Sequence, residues 1–319
     1  MTLPLFNFEE DAPPQAKRLG PLLRSQAEQG VFWGTSSWKY DGWLGSIYSP
    51  KRYETRNKFS KKKFDETCLA EYAKTFPVVC GDFAFYQFPS PDYWKRLFEG
   101  TPEEFLFAFK VPEDITVPKW PTHARYGTRA GRVNEGFLNA KLFTTLFAER
   151  LKPYEGRVAA LIFEFGTFAK ATFPTAVDFF AMLDPFLASL PKGFRYSVEI
   201  RNPEYLGSDY FSLLSSHNTA HVFSAWTRMP ELKDQLDMGD AFTADFTVAR
   251  ALLTKHRNYE NAVKEFEPYR ETQEPNPGAR AALKELAVTS IARKKPAFLF
   301  VNNRLEGNAP STIEAVVDG

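Results

Sequence analysis

Short apolar runs recur along the chain and alternate with stretches of helical periodicity. The runs are Val31 to Thr35, Val78 to Phe83, Phe105 to Val111, Ala159 to Phe165, Phe194 to Ile200, Ala220 to Ser224, a stretch within Phe242 to Leu252, and Ala297 to Val301. Near-continuous apolar runs of this length are strands covered on both faces, as in a parallel sheet. The seventh is the exception, because Thr247 to Leu253 also fits the start of a helix. Between the runs, Phe64, Cys68, Tyr72 and Phe76 repeat every fourth position before Pro77. Leu138, Leu142, Leu146 and Phe147 do the same before Pro153, and Phe179, Phe180, Leu183 and Leu187 before Pro191. After the break at Glu274 to Gly278, a helix is expected from Ala279 to Ala292. Eight strands alternating with helices predict an α/β fold, a single (β/α)8 TIM-type barrel over residues 30–319. A long loop follows strand three. Residues 1–29 read as a partly irregular N-terminal arm, since Asp11-Ala12-Pro13-Pro14 and Gly20-Pro21 interrupt a long helix.

In such a barrel the interior is packed solid and chemistry falls to the C-terminal ends of the strands. Those ends are polar here. Strand three ends in Lys110, strand four carries Glu164 between two phenylalanines, and strand five supplies Glu199 and Arg201. Alternation with period two puts Ser197, Glu199 and Arg201 on one face. With Asp82 after strand two, these groups predict an inward, charge-paired cluster suited to acid–base work, or a structural ion-pair network. As a catalytic set, Glu199 is the base, Glu164 the acid and Lys110 the group that tunes them or stabilises an oxyanion. The two glutamates would also serve a glycoside hydrolase if separated by roughly 5–5.5 or 6.5–9.5 Å.

Arg201, Arg250, Asn302 and Asn303 are candidates to hold an anionic substrate, and Trp38, Tyr40, Tyr86 and Trp226 to stack on it. The segment 119–132 carries Arg125 and Arg129 among four cations and no acid, a candidate lid delivering guanidiniums to an anion. Residues 51–63 hold seven cations against Glu54 alone, which supports nucleic-acid binding as an alternative.

Composition narrows the picture. The chain has 319 residues, 44% hydrophobic and 25% charged, with a net charge of +1, so no global field points to nucleic acid or a membrane. Its 31 phenylalanines predict a core of large rings. Cys68 and Cys80 are expected to be buried thiols. The four histidines are scattered without ligand spacing. No cofactor is predicted, although Asp82, Glu164 and Glu199 would suit magnesium or manganese. With no apolar signal segment in residues 1–30 and no membrane span, the expected location is cytoplasmic and the expected partner a small anionic molecule.

Five motifs occur in order: Gly34-Thr35-Ser36-Ser37-Trp38, Phe85-Tyr86-Gln87-Phe88-Pro89, Phe105 to Pro112, Tyr196 to Pro203, and Asn302-Asn303 with Glu306-Gly307 and Ala309-Pro310. Together they resemble the YecE-like family, domain of unknown function seventy-two. The resemblance implies a TIM-type barrel and no particular reaction. Two departures stand out: Cys80 and Asp82 occupy strand-two positions where that family usually carries Glu and Asn, and Val117 stands where a His is common.

Overall fold

The computed structural model of the protein describes residues 12–318. Its centre is a closed barrel of eight parallel strands. In chain order they are β1 (Val31–Thr35), β2 (Val78–Gly81), β3 (Leu106–Lys110), β4 (Val158–Phe165), β5 (Tyr196–Ile200), β6 (Ala220–Ala225), β7 (Thr247–Ala251) and β8 (Ala297–Val301). β8 returns to pair with β1 over Val31 to Thr35, which closes the ring. Every expected strand is present, and the ambiguous Thr247 segment is β7, paired with both β6 and β8.

Strand alternation sorts the side chains into two cores. Phe32, Cys80, Ala108, Ile162, Val222, Val248 and Phe300 share the inner cluster. Trp33, Val79, Phe107, Phe109, Phe163, Val198 and Leu299 belong to the outer one, against the helices. The outer layer is aromatic, with Trp94 on Phe109 at 4.8 Å and Phe143 on Phe163 at 5.3 Å between ring centroids. One register shift lies between β3 and β4, where Phe107 pairs with Val158 but Ala108 with Ala160. The extra residue sets the parity of β4 and turns Glu164 inward. Gly34 is required by close packing: a Cβ there would lie 2.1 Å from the Val78 carbonyl oxygen.

The N-terminal segment departs from the sequence expectation. Pro14–Glu28 (α1) is one helix of 15 residues running through Pro21. Pro14 takes the first turn, where the missing N–H costs nothing. The interior proline is offset by packing, since Ala16, Leu19, Gly20 and Leu23 are buried. Gln15 and Arg18 also bond Glu314 of the last helix, Ala309–Val317. The part of the expected arm before residue 12 lies outside the described residues. The predicted helices are found at Lys61–Thr75 (α2), Ala176–Ala188 (α3) and Pro277–Ala292 (α4). The Leu142 to Phe147 repeat lies in a helical stretch from Ala140 to Leu151 that includes a π turn. No helix among the described residues is long and apolar enough to cross a membrane.

Candidate active site

Register puts two like charges side by side. Glu164 of β4 pairs with Glu199 of β5, and alternation turns both toward the barrel axis. Adjacent carboxylates are destabilising unless cations intervene. Three do. Arg250 of β7 crosses the barrel and donates from Nη1 to Glu164 at 2.6 Å and to Glu199. Arg201 Nη2 reaches Glu199 at 2.7 Å and Glu164 at 3.1 Å. Lys110 Nζ lies 3.1 Å from Glu164. Ser224, inward on β6, donates to Glu199 at 2.8 Å. Asp82 completes the group, 3.4 Å from Arg250 Nη2 and 4.0 Å from Lys110.

Three cations thus face three carboxylates in the top layer of the barrel, and the layer is graded in depth. Glu199 and Arg250 have side chains 0% and 2% exposed, Glu164 14%, while Asp82 is 39% exposed. Burial pushes the Glu164 carboxyl up, but Arg201, Lys110 and Arg250 outweigh it and hold it well below the usual carboxylate range. Burial and the Glu164 charge push Glu199 up, and Arg250 and Arg201 again win. The Arg250 guanidinium loses hydration but is held firmly charged, chiefly by Glu199. Beneath this layer, burial pushes the Cys80 thiol up to about 12, so it is an inert filler; Cys68 is buried and raised likewise.

Aromatic rings flank the two outer cations. Lys110 Nζ sits 3.8 Å from the Phe85 ring centroid, and the Arg201 guanidinium 3.8 Å from that of Trp226. Trp38 and Tyr40 are rim packing: Trp38 meets Phe83 edge-on at 6.0 Å, and Tyr40 lies between Trp43 and Tyr269. Tyr86 is 54% exposed beside the mouth, with the Arg125 guanidinium 4.9 Å from its ring.

The structure separates other candidates from the mouth cluster. Arg125 and Arg129 pair with Glu113 and Asp114, and Arg129 stacks on Trp120, so their charges are taken within their own loop. In the basic stretch, Lys61 pairs with Asp41 and Asp65, and Lys62 with Glu66. Asn302 and Asn303 build the turn after β8: their side-chain oxygens accept from the N–H groups of Arg304 and Ala309. Glu306 is fully buried against Arg280 and Thr312. Most polar groups of that motif are therefore scaffold, because a buried turn must satisfy its own backbone. Among the described residues, no group of three or more His, Cys, Asp or Glu is arranged to hold a metal ion.

Sequence reasoning missed Ser224 and Arg304. Ser224 was detectable from its parity with Val222 at the end of β6. Arg304 lies in the turn that was singled out, but its surroundings come from a distant segment without a clear pattern: its guanidinium is 4.5 Å from the Tyr259 ring centroid.

Known proteins share this architecture. The sequence model of the family described as "Protein of unknown function DUF72" matches residues 32–318. UPF0759 protein YecE of Escherichia coli K12 is 29% identical over 140 residues, a stretch covering 44% of this chain and 43% of that protein. The chain thus aligns with less than half the length of this curated relative. A DUF72 family protein of Thermotoga maritima superposes with a TM-score of 0.59 at 18% identity, over 90% of this chain and 96% of its own. One from Enterococcus faecalis gives 0.59 at 16% identity, over 91% and 96%. At those identities the structures speak to fold alone, and they agree with the closed eight-stranded barrel. With the family model covering nearly all of the barrel and its loops, the chain belongs to the DUF72 family.

Proposed function

We propose that the barrel mouth is the active site of an enzyme that moves a proton on a small polar substrate carrying an anionic group. The observation that carries this reading is the depth grading of the charge layer, sealed at Glu199 and Arg250 and open at Asp82. A purely structural network gains nothing from leaving one carboxylate partly exposed beside the ring-flanked Lys110.

The grading also redistributes the roles expected from sequence. A general acid must carry a proton to give. Glu164 and Glu199 are both held ionised by guanidinium and ammonium neighbours, so neither fits that part, and Glu199 is out of reach of a substrate. Their part is to fix Lys110, Arg201 and Arg250. Asp82 is the base in this reading, and Lys110, poised over Phe85, stabilises charge developing on the substrate. The two-carboxylate glycosidase loses support for the same reason, since neither glutamate can protonate a leaving group. Nucleic-acid binding is weakened by the local pairing of Lys61, Lys62, Arg125 and Arg129.

A thermal-shift screen against phosphorylated and carboxylated sugars, other small metabolites and short oligonucleotides tests the reading. A ligand that binds only the folded state raises Tm by mass action. The expected result is stabilisation by a small polar anion that is reduced but not abolished in Asp82→Asn and Lys110→Met. Stabilisation by oligonucleotides alone, unaffected by both variants, would overturn it.

A further inference from the structure

The charge layer at the centre of the mouth is balanced, three cations against three carboxylates, so it offers no surplus charge to an anion. A surplus exists on the rim. Arg304, half-buried in the turn after β8, pairs with no carboxylate among the described residues, and its buried Nε has no hydrogen-bond partner. Taking a guanidinium partly out of water without a carboxylate is costly, and a site that bears the cost commonly recovers it from a ligand.

Its surroundings are donors. Arg304 stacks on Tyr259, which is 46% exposed, and lies close enough to Tyr269 for its charge to favour ionisation of that phenol, against the larger opposing effect of burial. Burial pushes both Tyr269 and Tyr40 up, so each keeps its proton and can donate to an oxyanion. Asp82 and Glu267 act through space on Tyr40 and Tyr269 respectively, but neither pairs with Arg304. The pieces are held firmly. Asn302 accepts from the Arg304 N–H, and Asn308 donates to the Tyr269 carbonyl, whose residue is fixed at φ 66°. Gly42 lets the first loop close onto this segment, since a Cβ there would lie 1.7 Å from the Pro268 oxygen.

We infer that Arg304, with Tyr259 and Tyr269, is the seat of the substrate's anionic group, a phosphate or carboxylate, while the neutral charge layer handles its uncharged polar part. The inference rests on the reading of the mouth as a ligand site. Trp226 connects the two halves: its ring lies 3.8 Å from the Arg201 guanidinium and 6.3 Å from the Tyr259 ring. The seat follows β8, a common place for a phosphate in barrels of this type. It moves the anion contact from Arg201 and Arg250, whose charges are spent on Glu164 and Glu199, to a residue whose charge is not.

Calorimetric titration of the full-length protein with inorganic phosphate, sulfate and acetate tests this, using wild type, Arg304→Gln, Arg304→Lys and Asp82→Asn. Ligand-free melting of each variant confirms that it is folded. The expected result is saturable phosphate binding that Arg304→Gln weakens roughly ten- to hundred-fold, that Arg304→Lys partly restores, and that Asp82→Asn leaves intact. Preference for acetate with the same dependence on Arg304 supports the seat and assigns a carboxylate. Equal phosphate binding by wild type and Arg304→Gln, or none by wild type, overturns it. Phosphate binding lost in Arg304→Gln, combined with polar ligands indifferent to Asp82 and Lys110, would leave the seat standing and sink the proton-transfer reading instead.

Discussion

Arg250 and Glu164 lie 86 positions apart in the chain and meet at 2.6 Å in the middle of the barrel mouth. The same guanidinium nitrogen also serves Glu199, so one side chain of β7 neutralises neighbouring carboxylates on β4 and β5. Its removal should therefore be felt as two buried charges, not one.

Arg250→Leu is expected to destabilise the fold by about 3–5 kcal/mol at pH 7, the usual cost of breaking a buried pair from one side. With Arg250 gone, burial and mutual repulsion raise the two carboxyls. The deficit should then shrink as pH falls and they take up protons. Urea denaturation at pH 7 and pH 5 measures both effects. A deficit below about 1 kcal/mol at pH 7 would mean that the network contributes little.

A second pH effect comes from His221, which lies behind the site on β6. Its ring packs against Tyr210, Phe211 and Phe223, and neither ring nitrogen has a hydrogen-bond partner among the described residues. Burial lowers it from 6.5 to about 4. The unfolded chain therefore takes the proton first as pH falls. The stability linked to this group is complete above pH 6.5 and lost progressively down to pH 4, about 3 kcal/mol in all. His221→Phe should flatten the stability profile across that window, whatever its effect at pH 7. A profile as steep as that of wild type would place the acid sensitivity elsewhere.

Gly34 tests the barrel closure between β1 and β2. Alanine there forces its Cβ against the Val78 carbonyl oxygen, a backbone atom that cannot step aside without disturbing the Gly34–Val78 pairing. A loss of about 2 kcal/mol or more is expected, at an unchanged denaturant slope. A neutral substitution would mean that the two strands can separate freely.

The strands were legible because burial on both faces leaves apolar runs that no loop imitates, and Ala297 to Val301 is a clear case. Alternation likewise placed Glu199 and Arg201 on one face, as found. Tertiary compensation was less legible. Pro21 marks a break in any local reading, yet the burial of Leu19 and Leu23 carries α1 through it. The Asn302 to Pro310 motif resembles a ligand loop because a buried turn needs the same amides and carboxylate to satisfy its own backbone as a loop needs to bind a ligand. Glu306 against Arg280 shows the first use, whereas Arg304, the cation of that turn, pairs with no carboxylate among the described residues. Only the fold brings Tyr259 and Tyr269 beside it.

The most direct test of the central claim is proton NMR of the protein with its best stabilising small ligand in deuterium oxide, using wild type and Asp82→Asn at equal saturation. Wild type is expected either to exchange a carbon-bound proton for deuterium or to convert the ligand to product, and Asp82→Asn to do neither while still binding. A bound ligand whose spectrum stays unchanged with wild type, or turnover undiminished in Asp82→Asn, would contradict that claim.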